Sequence, residues 1–481
     1  MITFIISLLL LVLGYAVYSK LIERMLGVDP KRATPATTMA DGVDYVPMKP
    51  WRVFLIQFLN IAGVGPICGA IMGAQFGTSS FLWIVFGTIF AGAVHDFVSG
   101  YISLRHEGCS LPEVHGMYLG NGIRQVMRYF MIVLLILVGV VFVSTPADLL
   151  TSQFTPNMDH FVWIVIILGY YLLATLLPID KVIGKIYPLF GILLIAMAVA
   201  LVVAFAVYRP EIPELWEGLA NAHPRAESNP IFPMMFISIA CGAISGFHAT
   251  QSPLMARCMV NERQARPIFY GAMVTEGVVA LVWAAAAAYF YKYLPEQCSE
   301  SGAAMVGIIA QKWFPQVVAV ITILGVISAA VTSGDTAMRS ARLIVAEIFH
   351  SDQKPIANRL KIAIPLFVVV AGGLVFSLTN QHGFAIIWRY FAWCNQVLAM
   401  VTLWAITVYL VRRKKCYVLT LVPALFMTMV TVSFIFVAED GGLGAFIPRE
   451  IGYGVGALAT LSLLMLFLVK KKKYAVDTIE Q

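Results

Sequence analysis

Six ionisable side chains lie inside long apolar stretches of this sequence, where a charge is costly and usually serves a function. The carboxylates Asp96, Glu276 and Asp335 are the candidates for proton coupling. Fixed ion pairs, or helix-end positions in cytoplasmic water, are the structural alternatives for these acids. The guanidinium of Arg389 is expected to reach the outer headgroups. The six residues are His95, Asp96, His248, Glu276, Asp335 and Arg389.

A second pattern consists of oxygen donors. Ala329, Thr332 and Ser333 are spaced so that they share one face of a helix. Two hydroxyls and one freed carbonyl are hard oxygen ligands of the kind that a small cation prefers. Bonding of the hydroxyls to the preceding helical turn is the alternative explanation. The pattern predicts a sodium site, and proton coupling remains open beside it.

Two apolar segments are interrupted near their centres. One contains the run from Asn60 to Pro66 with two glycines, and the other is rich in glycine and polar residues from Ala240 to Pro253. Proline breaks a helix, and unwound backbone inside a membrane is tolerated only where it lines a cavity or is buried in protein. Because the segments are five spans apart, they enter the membrane from opposite sides, which is typical of an inverted-repeat transporter with its binding site at the breaks. Close helix packing through small residues is the alternative.

Freed amides at the ends of such half-helices attract a carboxylate. The predicted substrate-binding residues therefore lie at the breaks, with Gln75 and Asn395 as more distant polar candidates. Phe247, Tyr390 and Trp393 could gate the space, although packing is the more common role of an aromatic ring in a membrane helix. The predicted set is Asn60, Gly63, Gly65, Gln75, Ser245, His248 and Asn395.

The composition requires lipid as the solvent. The 481 residues are 60% hydrophobic and 12% charged, with a mean hydropathy of +0.83, whereas globular domains carry about 25% charged residues. The long apolar runs favour helices over a barrel. A stretch at 303–311 is too short to span and is predicted to be re-entrant. Thirteen spans are predicted, at 2–18, 52–73, 81–104, 127–146, 161–178, 187–208, 231–250, 268–292, 316–338, 360–377, 385–411, 417–437 and 451–469.

The basic residues orient these spans. Alternate connections, beginning after the first span, hold 27 of the 33 lysines and arginines, so these connections are predicted to be cytoplasmic. The N-terminus is then outside and the C-terminus inside an inner membrane. The first apolar run is interpreted as a retained span, because Lys20 and Arg24 follow it and no basic residue precedes it. The net charge of +7 fits contact with anionic lipid and not with nucleic acid.

Seven cysteines are scattered without a C-x-x-C pair, so neither a disulfide framework nor a metal site is predicted. No cofactor is expected beyond a coupling Na⁺ or H⁺. The oligomeric state is left open.

Five ordered segments resemble the carbon starvation protein (CstA) family. They are IAGVGPICGA, AGAVHDF, ISIACGAISGFHA, TEGVVALVWAAAA and VTSGDTAMRSAR, and the resemblance runs from about residue 50 to residue 415. Asp96 matches the family pattern, while His95 departs from it, and the residues after about 440 match less well. The resemblance implies uptake of small peptides as part of a starvation response, or of pyruvate in some relatives.

The spacing of the breaks also resembles the LeuT-like fold. This likeness implies one domain over 1–481, with repeats at 52–208 and 231–411 and peripheral helices at 1–20 and 417–469. In sodium symporters of that fold, carbonyls of the first broken helix complete the ion site. Aligning N-I-A-G-V-G here with the similar N-A-V-G-L-G pattern implies Leu59 and Ala62 for that role.

The sequence therefore predicts a secondary active transporter that imports small peptides with a cation by alternating access, and not an enzyme. The alternative is a proton symporter of pyruvate or another small carboxylate. An intramembrane protease is a remote alternative: GAISGFH resembles a serine-protease motif, but Ala243 replaces its first glycine, and SGDT lacks the partner motif of an aspartyl protease. A channel is disfavoured because no charged ring or repeated filter segment is visible.

Overall fold

The computed structural model describes residues 1–177, 179–299, 301–380, 382–439 and 442–476, with the backbone alone for 179–186 and 475–476. Helices and short turns make up the architecture, and no β-strand occurs among the described residues. In chain order the main helices are α1 Ile2–Leu26, α2 Pro50–Ile61, α3 Gly65–Phe76, α4 Ser79–Arg105, α5 Leu111–Leu119, α6 Asn121–Gln153, α7 His160–Leu176, α8 Ile179–Tyr208, α9 231–238, α10 Gly246–Ala256, α11 Glu262–Tyr293, α12 Gly302–Trp313, α13 Gln316–Ile348, α14 Ile356–Thr379, α15 Gly383–Arg412, α16 Val418–Val437 and α17 Arg449–Val476.

Ten helices in the described part of the chain are long and apolar enough to cross a membrane, and the bent pair α2–α3 makes an eleventh span. The chain is therefore a multi-pass membrane protein. Helix α7, with 17 residues, is shorter, and the 231–256 segment is divided between α9 and α10. The all-helical class is thus confirmed, while the number thirteen stays a prediction. Residues 303–311, predicted to be re-entrant, lie within the 12-residue helix α12.

Several helices continue beyond the predicted spans. Helix α1 ends at Leu26 and α13 at Ile348, beyond the predicted ends at 18 and 338. The extensions carry charged residues such as Arg24 and Arg342, so hydropathy alone does not detect them, although the backbone hydrogen bonding continues.

The two predicted breaks are present. Helices α2 and α3 meet at an angle of 53°, because Pro66 lacks the amide hydrogen that a continuous helix needs. Helices α9 and α10 are separated by residues 239–245. Helix α10 packs against α2, α4 and α15, while α13 packs along α6 and α8. The breaks are therefore enclosed by α4, α11, α13 and α15.

Candidate functional site

The two helix breaks meet inside the bundle. A Cβ atom added to Gly65 would lie 2.4 Å from the Sγ atom of Cys241, and one added to Gly63 would lie 2.6 Å from the ring of Phe142 and 3.0 Å from the Ser333 hydroxyl. Both glycines are buried. The absence of a side chain at these two positions therefore allows the first break to contact the second break and α13.

The start of α10 is capped from α15. The side-chain oxygen of Asn395 accepts hydrogen bonds from the Phe247 amide at 2.7 Å and from the Ser245 hydroxyl at 2.9 Å. The Asn395 amide nitrogen donates to the sulfur of Cys241 at 3.3 Å. The structure thus brings Ser245 and Asn395 together at the second break. One of the amides expected to attract a substrate carboxylate is already bonded to Asn395, so a substrate would use the remaining amides or displace this side chain.

Four of the ionisable residues form one buried chain. The Nδ1 atom of His248 lies 2.8 Å from a carboxylate oxygen of Asp96, and its Nε2 atom lies 3.3 Å from a carboxylate oxygen of Glu276. The second oxygen of Asp96 lies 2.7 Å from Nδ1 of His95. All four side chains are fully buried. Helices α4, α10 and α11 therefore contribute to a single group of acids and imidazoles.

Proton counting gives this chain its chemistry. A neutral imidazole offers one N–H donor and one acceptor, whereas both neighbours of His248 are carboxyl groups. The Nε2 contact with Glu276 is within ion-pair distance but is not a hydrogen bond, so attraction at both nitrogens requires either a charged imidazolium or a protonated acid. The group holds an exchangeable proton in either arrangement, and it can pass that proton between α4 and α11 through a ring on α10.

The predicted oxygen cluster is assembled between α2 and α13. The Ser333 hydroxyl donates to the Leu59 carbonyl at 2.8 Å, and the Thr332 hydroxyl oxygen lies 3.2 Å from the same carbonyl. The Thr332 oxygen also lies 2.9 Å from the Ser328 carbonyl and 3.1 Å from the Ala329 carbonyl. The Ser328 and Ala329 carbonyls belong to the preceding turn of α13, so these two contacts are the bonding named above as the alternative explanation. The Leu59 carbonyl and the two hydroxyls remain as hard oxygens of the kind that a small cation prefers.

Ala62 lies at the end of α2 next to this cluster in sequence. Its ψ angle of 55° departs from the helix, although its amide still donates to the Phe58 carbonyl at 2.8 Å. The neighbouring Gly63 approaches Ser333. The backbone therefore departs from the α-helix at Ala62, the residue whose carbonyl is the second implied ligand of the cation.

Asp335 belongs to a different group from the other two acids. Its oxygens accept hydrogen bonds from the hydroxyls of Tyr187 at 2.6 Å and Tyr170 at 2.8 Å. The Tyr187 hydroxyl also lies 2.9 Å from the Thr332 carbonyl. Asp335 is therefore linked to the oxygen cluster and not to His248, so the predicted proton-coupling residues fall into two separate sites.

Of the remaining predicted residues, Asn60 lies near the first break and Gln75 lies further from it. Asn60 is fully buried on α2, and no partner is described for its amide. Gln75 lies at the far end of α3, where it donates to the Tyr291 hydroxyl at 3.2 Å. Trp393 donates to the Thr431 carbonyl of α16 at 3.1 Å, and the Tyr390 side chain is 43% exposed.

Phe247 packs at the breaks, where its ring lies 6.1 Å from that of Phe142. Arg389 is half-buried on α15.

Sequence reasoning missed several residues that complete the site. Gln57, one turn before Asn60, is buried with no partner described for its amide, and the spacing of the two polar residues was a usable signal. The Thr88 hydroxyl donates to the Gly242 carbonyl of the second break at 3.1 Å. Tyr170 and Tyr187 carried no local signal, because only the packing of α7 and α8 against α13 brings them to Asp335.

The fold defines a class of membrane protein. A manganese transporter of Eremococcus coleocola aligns over 91% of this chain and 99% of its own, with a TM-score of 0.58 and 12% identity. A Na⁺-coupled sialic acid symporter aligns over 97% of both chains, with a TM-score of 0.51 and 14% identity. The chain therefore has the LeuT-like fold of these transporters. The division into five-plus-five helices stays a prediction.

The family follows from the sequence comparison. The profile described as "Carbon starvation protein CstA" matches residues 1–156, 144–312 and 300–434. This chain belongs to the carbon starvation protein CstA family. The resemblance predicted from the five motifs is confirmed.

Relatives within the family differ in length. A membrane protein of Haemophilus influenzae is 43% identical over 61% of this chain and 92% of its own. A "Peptide transporter CstA" of Helicobacter pylori is 30% identical over 56% of this chain, and a "Pyruvate/proton symporter BtsT" of Escherichia coli is 29% identical over 56%. The chain spans about half the length of these two relatives, 48% and 46%.

The likeness to the manganese transporter concerns the fold alone. Among the described residues, no group of three or more histidine, cysteine, aspartate or glutamate side chains is arranged to hold a metal ion.

Proposed function

We propose that this protein is a secondary active transporter that imports small peptides across the inner membrane, coupled to a cation. The observation that carries the proposal is the contact between the two helix breaks at Gly65 and Cys241. A bundle whose two broken spans meet at their breaks can open toward one side of the membrane at a time. One half of each broken span can tilt while the other half stays packed. The orientation follows the distribution of basic residues, with the N-terminus outside.

The cargo is proposed from the polar groups at the breaks. Asn60, Gln57 and Gln251 are buried and each retains a side-chain amide atom for which no partner is described. Buried polar groups normally have partners, supplied by protein, water or ligand. Amide groups both donate and accept, which matches the peptide bond. Several relatives are named peptide transporters, and this supports the same assignment.

Two sites could couple the cation. The oxygen cluster of Leu59, Thr332 and Ser333 would accept sodium, whereas the Asp96–His248–Glu276 chain would carry a proton. The second arrangement favours the alternative function, proton-coupled uptake of pyruvate or another small carboxylate, which the relative named a pyruvate/proton symporter also supports.

Uptake into proteoliposomes tests the proposal. Purified protein is reconstituted, a dipeptide or pyruvate is offered as the labelled substrate, and sodium and pH gradients are imposed separately. Accumulation of the dipeptide under one gradient supports the main proposal, and accumulation of pyruvate alone supports the alternative. Absence of uptake of either substrate under every gradient would refute both.

The oxygen cluster leads to a prediction for Thr332→Ala. If sodium binds here, the loss of one ligand should raise the sodium concentration for half-maximal uptake about tenfold, since a hydrogen bond or ligand to a charged group is worth roughly 1.5–3 kcal/mol. The measurement is uptake against sodium concentration at fixed pH.

Thr336→Ala is the matched control for this experiment. Thr336 is a buried threonine one turn further along α13, and the described contacts of its hydroxyl are the Thr332 and Ser333 carbonyls of its own helix. We expect its sodium dependence to stay unchanged. A Thr332→Ala protein with the sodium dependence of the unmodified chain would remove the proposed ion site.

The geometry disfavours a serine protease. The Ser245 hydroxyl donates to Asn395, while both ring nitrogens of His248 face carboxylates. A serine nucleophile needs an adjacent base, and this histidine is already paired on both sides. Asp335 likewise faces two tyrosines and not a second aspartate, as an aspartyl protease would require.

A further inference from the structure

A separate cavity lies beyond the far end of the first broken span. Its volume is about 440 Å³, which is within the range of about 300–1,000 Å³ that is typical of small-molecule sites. Residues from the end of α3, the end of α11 and the loop 209–230 enclose it. The loop is fastened over the cavity, because the Thr78 hydroxyl donates to the Gly218 carbonyl at 2.7 Å and the ring of Phe76 lies 4.9 Å from that of His223.

The walls of this cavity are largely apolar, and its charged lining residues are Glu217, Arg225 and Lys292. Alanine and proline side chains such as Ala74, Ala288 and Pro213 form much of the lining. The Lys292 ammonium and the Glu217 carboxylate are in direct contact, and they come from α11 and the loop. The Gln75 amide, which donates to Tyr291, adds a neutral polar group.

The ion pair can be separated at little cost. The side chains of Lys292 and Glu217 are 38% and 41% exposed, and exposed pairs of this kind contribute little to stability. A ligand with one group of each charge could replace the contact with two new ones. A ligand with a single negative charge would leave the Glu217 carboxylate without its partner.

The cavity is distinct from the helix breaks. Between them, α3 packs closely on the start of the second break: a Cβ atom on Gly73 would lie 2.1 Å from Ile239, and one on Gly69 would lie 2.7 Å from the Ser238 carbonyl. A solute bound in the cavity would therefore be separated from the breaks until α3 moves away from the start of the second break.

We propose that this cavity is a first docking site for zwitterionic small peptides, in which Lys292 binds the peptide carboxylate and Glu217 binds its terminal ammonium. The proposal rests on the proposed import of peptides and names the site where the peptide first binds. The apolar walls accommodate the side chains of the peptide, and Gln75 is placed to bond a peptide group. Pyruvate has no ammonium and would fill little of the volume.

Cys298 provides a probe of occupancy, because it lines the cavity and is half-buried. Of the other cysteines, Cys109 and Cys416 are accessible and would be replaced by serine, while the remaining four are buried. Partial burial, together with the Glu296 carboxylate, raises the pKa of the Cys298 thiol to about 11. Since the thiolate is the reactive form, all labelling rates are compared at one pH.

The experiment measures labelling of Cys298 by a methanethiosulfonate reagent in membrane vesicles without any gradient. We expect alanyl-alanine to slow labelling at least fivefold, and pyruvate or N-acetyl-alanyl-alanine amide to have no effect. In Glu217→Gln the peptide concentration for half-protection should rise about tenfold, the change expected when one charge-assisted hydrogen bond is lost. Lys292→Gln should act in the same direction.

The matched control is Glu211→Gln, since Glu211 is an exposed glutamate of the same loop that does not line the cavity. Its protection curve should match that of the unmodified protein. Equal protection by the blocked peptide or by pyruvate, or protection that Glu217→Gln leaves unchanged, would overturn the docking site. Because no gradient is needed, this result is independent of the uptake assay: failure of uptake would refute the proposed transport, and failure of protection would refute the docking site.

Discussion

His248→Gln is expected to lower proton-driven accumulation of substrate about 100-fold while exchange of labelled for unlabelled substrate continues within about twofold. The glutamine amide nitrogen can still donate to a carboxylate, but the side chain cannot hold an additional proton, and proton transfer by a positioned side chain contributes about 10²–10⁴-fold to a reaction step. Net uptake driven by a pH gradient requires a proton to move with each cycle. During exchange, the transporter moves back across the membrane with substrate bound and does not release that proton. Exchange should therefore continue in the His248→Gln protein.

The structural basis is that His248 is the only described link between two acids on different helices. It contacts Asp96 of α4 through one nitrogen and Glu276 of α11 through the other. Neither oxygen of Glu276 has a hydrogen bond of ordinary geometry to any described group, and its contact with His248 is within ion-pair distance only. Removal of the ring therefore isolates Glu276 from Asp96. Because the ring is carried on α10, the half-helix after the second break, movement of this half-helix would connect and disconnect the acids.

His115→Gln is the matched control. His115 is also fully buried, but its described contact is the Thr402 hydroxyl at 3.1 Å, with no carboxylate. We expect its pH-driven uptake to remain within about threefold of the unmodified protein, with both variants eluting as folded protein in gel filtration. Equal losses in the two variants would assign a structural role to His248, and an unchanged response of His248→Gln to the pH gradient would exclude it from proton coupling.

Local patterns and long-range contacts differ in what the sequence could reveal. The shared face of Thr332 and Ser333 follows from helical periodicity, and the breaks follow from Pro66 and the glycines, because these effects act within a few residues. The grouping of Asp96 with His248 and Glu276 joins residues 152 positions apart in one contact. The free-energy cost of an ionisable side chain in lipid identified each of these residues separately. Only the packing of the helices determines which carboxylate contacts which imidazole.

The separation of Asp335 from the other acids shows the same limit. The energetic cost of a carboxylate inside a membrane applies equally to all three acids and does not group them. The structure distinguishes them by their neighbours, since Asp335 is surrounded by tyrosine hydroxyls from α7 and α8. Those tyrosines lie more than 140 residues away, at separations of 165 and 148, and nothing in the local sequence marks them.

Gly65→Ala is expected to reduce transport at least tenfold, because the new methyl group would occupy the contact between the two breaks. Its Cβ atom would lie 2.4 Å from the Cys241 sulfur and 2.6 Å from its Cβ atom, well inside van der Waals contact. Overpacking of a tight interior costs about 1–3 kcal/mol. Here the added methyl group would destabilise the conformation in which the two breaks are packed together. The equilibrium should therefore shift toward conformations in which they are apart. Initial uptake rates and counterflow measure the effect.

A second substitution separates this steric account from a general loss of folding. Cys241→Gly removes both atoms that the new methyl group would meet, so Gly65→Ala/Cys241→Gly should recover much of the lost uptake. Gly372→Ala is the control for an added methyl group in a spanning helix, since nothing lies within 4 Å of the position that its Cβ atom would take, and its uptake should be unchanged. If the double variant is as inactive as Gly65→Ala alone, the contact between Gly65 and Cys241 does not govern transport. Recovery would instead tie activity to a contact between the two half-helix pairs, as alternating movement of the breaks requires.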